Sequence, residues 1–348
     1  MNDIKLTAQI DIKEEVRMNM QEKAVFISLI LVGVMFFLGV DAQSQEKLEK
    51  GIQLFEKGQY SEAKEFFESY INQHPKSTDA AFYIGKIFFM EKDYDPSIDW
   101  FKKAVEMDQD SSEYHLWLGR AYAMKTQKVS LLEKVSLAKE CKFEFDKAVE
   151  LDPDNIDARF NLIGFYLQAP SFLGGSTDRA MEQVEEIKKR DKKSGHRALR
   201  MVYEAEGKYD LVEKELLSEM KEDPQSMELH YQLGYFYTNQ KKYDEAYQIF
   251  EKILKVSPEE MNAYYQVGRI GSLSGQNVDW AEECLKKYLK YKPEGDEPSL
   301  AWAHYRLGLL YEHKGEKELA KTEYEKALGL DPGHAEAKKA LEKLGEGQ

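Results

Sequence analysis

The sequence predicts an all-α chain of helix-turn-helix repeats, and three observations predict it. Small, aromatic and proline residues recur with a period of 34, as from Pro224 to Pro258. Within a period, apolar residues recur at intervals of three and four, which places them on one face of a helix. An apolar content of 42% with 32% charged residues is ordinary for helices that keep one face in water.

The stretch from Met227 to Glu260 shows the unit most clearly. Leu233, Gly234 and Tyr237 share a face of a first helix, and Ala246, Phe250 and Ile253 share a face of a second. Lys241-Lys242-Tyr243 makes the turn and Pro258 closes the unit. Gly234 and Ala246 are small where two antiparallel helices approach closely, and Tyr237 and Phe250 fill the space beside them. A helix pair this short has an apolar face that only a neighbouring pair can cover.

This pattern resembles the tetratricopeptide repeat, a 34-residue helix-turn-helix with Leu-Gly, Tyr, Ala, Phe, Ala and Pro at fixed offsets. The same phase recovers Gly51, Ala63, Phe67 and Pro75, then Ile84, Gly85, Phe88, Phe101 and Ala104, and last Leu307, Gly308, Tyr311, Ala320, Tyr324, Ala327 and Pro332. The resemblance implies a right-handed superhelical solenoid of about eight repeats. Their ranges are 44–77, 78–111, 112–155, 156–192, 193–226, 227–260, 261–295 and 301–334, with a capping helix and tail over 335–348.

Ahead of the repeats, Ala24 to Val40 is a run of 17 mostly apolar residues without a charge. Val40 and Ala42 are small residues suited to signal-peptidase cleavage before Gln43, so residues 1–42 read as an export signal. Counted from Met18 or Met20 the leader has an ordinary length, which makes one of these the expected start. The alternative is an uncleaved membrane anchor, for which 17 residues is short.

Copies one and two follow the motif without a gap. Copy three has Leu118, Gly119 and Tyr122, but Phe145, Ala148 and Pro153 come ten residues late, so Lys125 to Ala138 is an insertion. It is either a longer turn or extra helical turns, with Val129, Leu131 and Leu132 expected to pack on the neighbouring copy, the alternative being a projection that binds a partner. In copy four, Leu162 and Tyr166 precede the loop Gln168 to Ser176, whose Gly174-Gly175-Ser176 reads as a turn ending in a Ser helix cap. Copy five is the most eroded, with Arg200 in place of Gly and Val212 in place of Ala. Copy seven has Gly271 where Tyr is usual and Gly275 after it, so weaker packing is expected there. Ala335 to Leu344 forms the amphipathic cap.

Charge and reactive residues bound the function. The net charge is −14, and residues 43–348 carry 45 basic and 57 acidic residues, a field that repels nucleic acid. Cys141 and Cys284, several copies apart, read as reduced packing residues, and the acids of the second helices read as a solvated face. His115, His196, His230 and His304 stand at the fourth position of four first helices, too far apart for one metal site, and read as packing. No catalytic or metal-ligating constellation stands out, so no enzyme, cofactor or metal is expected.

The resemblance implies a protein-protein interaction scaffold that holds a peptide or protein segment in a concave groove. In that family positions 5 and 9 of each first helix face the groove. Here they include Phe82, Lys86, Leu116, Arg120, Phe160, Arg197, Tyr231, Tyr235, Tyr265, Arg269 and Tyr305, and four of the sixteen are basic while none is acidic. Position 2 carries Asp79, Glu113, Asp157 and Glu228, suited to the helix dipole. The family's Lys/Asn pattern for a terminal carboxylate is absent, so the expected partner is an extended segment with acidic or aromatic residues. With export, the protein is expected to be periplasmic or extracellular. The alternative is a membrane-anchored structural subunit of an envelope or secretion assembly, and a third reading is an enzyme using the copy-three insertion or copy-four loop.

Overall fold

Serine and asparagine side chains start most of the first helices. Ser77, Ser111, Asn155, Ser226 and Ser299 each accept a hydrogen bond from the backbone N–H three residues on, and Ser176 does the same for a second helix. Ser176 thus ends the copy-four loop as the sequence predicts. The computed structural model describes residues 48–346, so Ala24 to Val40, the cut after Ala42 and Gln43 lie outside the described residues. Among the described residues every regular element is a helix, and none is long and apolar enough to cross a membrane.

The chain divides between Asp191 and Lys192 into two compact units. The first contains α1 (48–56), α2 (Tyr60–Gln73), α3 (Thr78–Met90), α4 (Tyr94–Met107), α5 (Ser112–Lys125), α6 (Leu131–Leu151), α7 (Ile156–Gln168) and α8 (Thr177–Arg190). The second contains α9 (Lys192–Ala205), α10 (Tyr209–Glu222), α11 (Met227–Asn239), α12 (Tyr243–Val256), α13 (Met261–Ser274), α14 (Val278–Tyr288), α15 (Leu300–His313), α16 (Lys317–Leu330) and α17 (Ala335–Glu346). In each unit successive helices pack on one another, two per copy, as a helical repeat array requires. Ala340, Leu341 and Leu344 of α17 lie against the core of the last copies.

The two helices of a copy meet at a glycine. A β-carbon added at Gly85, Gly119 or Gly234 would lie 2.6–2.7 Å from the ring of Phe101, Phe145 or Phe250 on the second helix. Gly308 stands in the same relation to Tyr324. Where the first helix departs from glycine, the second departs from an aromatic. Copy four carries Ile163 and Val184 at these places and copy five Arg200 and Leu216, all buried.

Two expectations about the helix pairs change. The acids of the second helices are not all solvated: Glu144, Glu219 and Glu323 are buried, paired with His115, Arg200 and His304. Copy five therefore has a buried ion pair where other copies have a glycine-aromatic contact, and a buried charge is retained when it has such a partner. His196 likewise meets Glu215 at 2.5 Å, while His230 bonds the Ser226 carbonyl at 2.8 Å. His115, His196 and His304 thus join the two helices of their copy through polar contacts as well as packing, whereas His230 bonds within its own helix. Cys141 and Cys284 are free and buried, and burial pushes both thiols up to about 12.

The copy-three insertion is a 3₁₀ turn over Thr126–Lys128 followed by extra turns of α6, which runs for 21 residues. Leu137 is buried, but Leu131 and Leu132 are 77% and 86% exposed and do not pack as expected. Lys125 holds the base of the insertion through Asp95 at 2.5 Å and Glu133 at 3.4 Å. Copy seven is better filled than its sequence suggests. Tyr247, reaching over from α12, is buried, donates to the Gln276 carbonyl at 2.8 Å and lies 3.1 Å from where a Gly271 β-carbon would stand. The ring missing from copy seven is supplied by copy six.

Candidate binding face on the first helices

The first helices of the first unit gather three of their five candidate residues around Trp117. Lys86 lies 4.9–5.3 Å from the ring centres of Phe55, Phe82, Tyr83 and Trp117. Burial pushes the Lys86 ammonium below its ordinary value, against the pull of Glu113. Arg120 stacks on Trp117 at 5.1 Å and meets Asp157 at 3.1 Å. These cations are already matched, by rings and by a carboxylate. Phe160 is half-buried on α7.

Phe82 and Leu116 are 3% and 4% exposed, and Tyr265 in the second unit is 5% exposed. These three are core residues with almost no surface left for a ligand, which corrects their assignment to the groove. At Phe82 the neighbouring first helix closes over position 5, and Tyr265 packs on Tyr288 of its own copy at 5.3 Å. Phe82 packs at 4.7 Å on Tyr114 of the next copy.

The second unit presents a different face. Tyr231, Tyr235, Arg269 and Tyr305 are half-buried, and Arg197 is exposed on α9. Tyr231 and Tyr235 lie 5.7 Å apart, Tyr231 donates to Glu260 at 2.9 Å, and Asn262 reaches the Tyr235 hydroxyl at 3.4 Å. Beside them, Arg269 approaches the Gln266 side chain at 3.4 Å. Burial, and then the charge of Arg306, holds the Arg269 pKa below its ordinary value. Burial also raises the phenol of Tyr265, and both Arg306 and Arg269 are near enough to oppose that rise. Arg306 lies 5.6 Å and 5.4 Å from the rings of Trp302 and Tyr305.

One contact occurs in each unit, from position 9 of a copy to position 2 of the next. It joins Arg120 to Asp157 at 3.1 Å and Tyr235 to Asn262 at 3.4 Å. For Arg269 the residue at that place is Trp302, which carries no charge.

Trp117 and Arg306 were not legible as site residues, because the family pattern names positions 5 and 9 and both stand at position 6. A stripe drawn through 5, 6 and 9 includes both. Among the described residues no cluster of His, Cys, Asp or Glu is arranged to hold a metal ion.

A tetratricopeptide-repeat family model matches residues 54–121, and a second model of the same repeat matches 228–260 and 303–334. The fold is similar to that of a tetratricopeptide repeat protein from Parabacteroides merdae, with a TM-score of 0.50, 16% identity, and coverage of 77% of this chain and 98% of that one. A thermophilic repeat protein of Thermus thermophilus gives a TM-score of 0.45 at 16% identity over 56% of this chain and 98% of its own. Human IFIT1, in a dimer with PPP-AAAA, gives 0.47 at 21% identity over 84% of this chain and 71% of its own. Likeness at these identities extends to the fold alone. No curated protein matches the sequence closely enough to count.

Proposed function

This chain is a tetratricopeptide-repeat protein, a fold that serves as a protein-interaction scaffold, and from that premise we propose that its first helices hold an extended segment of another polypeptide outside the cytoplasm. The observation that carries this reading is the face of α11, α13 and α15. Half-exposed tyrosines there stand beside arginines in a chain of net charge −14. Aromatic faces supply area at small entropic cost, and arginine pairs with carboxylates, so the face suits a segment with acidic and aromatic residues. The acidic balance of the chain disfavours nucleic acid. The apolar run from Ala24 to Val40 supports export, with the mature chain starting at Gln43.

Cross-linking in the envelope fraction of the source cells tests the binding reading. A specific partner recovered by the parent protein should be lost with Tyr231→Ala, Tyr235→Ala and Tyr305→Ala combined. A partner set unchanged by that triple substitution rejects the face. N-terminal sequencing of the native protein tests export: Gln43 at the start supports cleavage, and an intact Ala24–Val40 segment points to the anchored alternative.

A further inference from the structure

We infer that Arg269 and Arg306 form a single receptor for a carboxylate, placed to take an acidic side chain of the bound segment with its apolar neighbour on Tyr235 and Tyr305. This rests on the proposal that the first helices bind a polypeptide, and it locates the charged contact in copies seven and eight.

Three independent features of the second unit lead to it. First, two guanidinium groups share one site. Arg269 and Arg306 stand on α13 and α15, which pack directly on each other, and both bear on the phenol of Tyr265, where like charges repel unless an anion separates them. Second, neither is ion-paired to a carboxylate among the described residues. The Nε of Arg306 is buried with no hydrogen-bond partner there, and Arg269 has only a 3.4 Å approach to Gln266. Arginine is the residue whose fork of donors matches a carboxylate two bonds at a time. Third, the arrangement departs from the repeat at this place. Position 2 of the next copy supplies Asp157 to Arg120 in the first unit, but supplies Trp302 at the place that answers to Arg269. The internal acid is replaced by an indole, over which Arg306 lies.

The glycines of copy seven bring the two arginines together. α13 and α15 pack directly on each other. A β-carbon at Gly271 would stand 3.3 Å from Leu310 on α15, and one at Gly275 would stand 3.0 Å from His313. His313 also meets the Ser272 carbonyl at 3.1 Å. A tyrosine at 271, as the repeat usually has, would hold α15 away and separate Arg306 from Arg269. The departure from the motif therefore builds the site.

A carboxylate fits better than a phosphate polymer. The surroundings of the pair are tyrosine and tryptophan rings, and the chain as a whole is acidic, so a single buried charge flanked by apolar groups is accommodated while an extended polyanion is repelled.

The test uses the full chain and fluorescence anisotropy with a labelled peptide of three Glu-Tyr repeats, a matched Gln-Tyr peptide and a labelled oligouridine. The Glu-Tyr peptide should bind at low salt, and the Gln-Tyr peptide about tenfold or more weakly. Arg269→Gln with Arg306→Gln should abolish that difference, whereas Arg120→Gln, in the unit where Asp157 already occupies the arginine, should leave it. If the double variant melts at a lower temperature than the parent, Arg269→Lys and Arg306→Lys take its place. They keep charge and bulk but lose the fork, and should weaken the Glu-Tyr peptide. Undiminished Glu-Tyr binding by these variants overturns the receptor. It leaves the binding face standing if Tyr231→Ala with Tyr235→Ala still weakens the peptide. Absence of Glu-Tyr binding by the parent overturns both, and arginine-dependent binding of oligouridine in preference to the peptide overturns the carboxylate assignment.

Discussion

Gly234 shows how one residue constrains another across a helix pair. Its missing β-carbon leaves room for the Phe250 ring, and an added methyl group would stand 2.6 Å from that ring. Gly234→Ala should therefore destabilise the protein by about 1 to 3 kcal/mol, as overpacking a core does. With Phe250→Leu the two changes should cost less together than their sum, since copy four already pairs Ile163 with Val184 at these places. Urea titration of both single variants and the double variant decides it, and strict additivity would show that the glycine is kept for another reason.

His115 is the second case at this scale. Its Nδ1 lies 2.5 Å from Glu144 and its Nε2 lies 3.1 Å from the Gln109 carbonyl. The bond to Glu144 raises its pKa above the ordinary 6.5, against burial and Lys147. A raised histidine stabilises the fold fully below its unfolded-state pKa, and the contribution disappears as pH rises through the folded-state value. His115→Gln should thus cost more stability near about pH 6 than near about pH 9, because only the protonated ring carries the pair. Equal costs in chemical denaturation at the two pH values would mean that the ring is neutral throughout.

At the scale of the element, the turns between the paired helices repeat one construction. Gly58, Lys92, Gly207, Lys241 and Gly315 all have positive φ, and in each turn this residue and the next donate to carbonyls three and five residues back. Glycine takes this conformation freely, whereas a lysine is strained there by its β-carbon. Lys241, at φ 59°, is accordingly a weak point in an otherwise regular copy. Lys241→Gly should stabilise by about 1 kcal/mol, read as a higher denaturation midpoint with an unchanged slope. A lowered midpoint would show that the lysine side chain makes a contact worth more than the strain.

For the whole molecule, a repeat array passes a change only to the neighbouring copy. α17 covers the open end of copy eight, where Ala340, Leu341 and Leu344 lie against a core containing Leu307 and Tyr324. A chain ending at His334 should lose about 2 kcal/mol or more of local stability in copy eight, from apolar surface returned to water. Amide exchange in α15 and α16 should quicken while α3 and α4 stay protected. Equal quickening in both places would mean that the chain unfolds as one cooperative body.

The helical class, the repeat phase and the glycine-aromatic pairing were legible in the sequence because each depends on residues of one copy, and a copy makes its contacts with itself and its immediate neighbours. Tyr231, Tyr235 and Tyr305 are half-exposed, as the proposed binding face requires. The burial of Glu144, Glu219 and Glu323 was not legible, since a carboxylate on a second helix looks solvated until His115, Arg200 or His304 is seen opposite. Nor was the exclusion of Phe82, Leu116 and Tyr265 from the face, which for Phe82 follows from how closely the adjacent copy approaches and for Tyr265 from Tyr288 of its own copy. The proposed joint site of Arg269 and Arg306 rests on tertiary structure, the direct packing of α15 on α13. It depends on the uncharged Trp302 standing where an acid stands in the first unit, and on Gly271 letting α15 close on α13. Both are relations between side chains of different copies, and a period of 34 carries no distance between them.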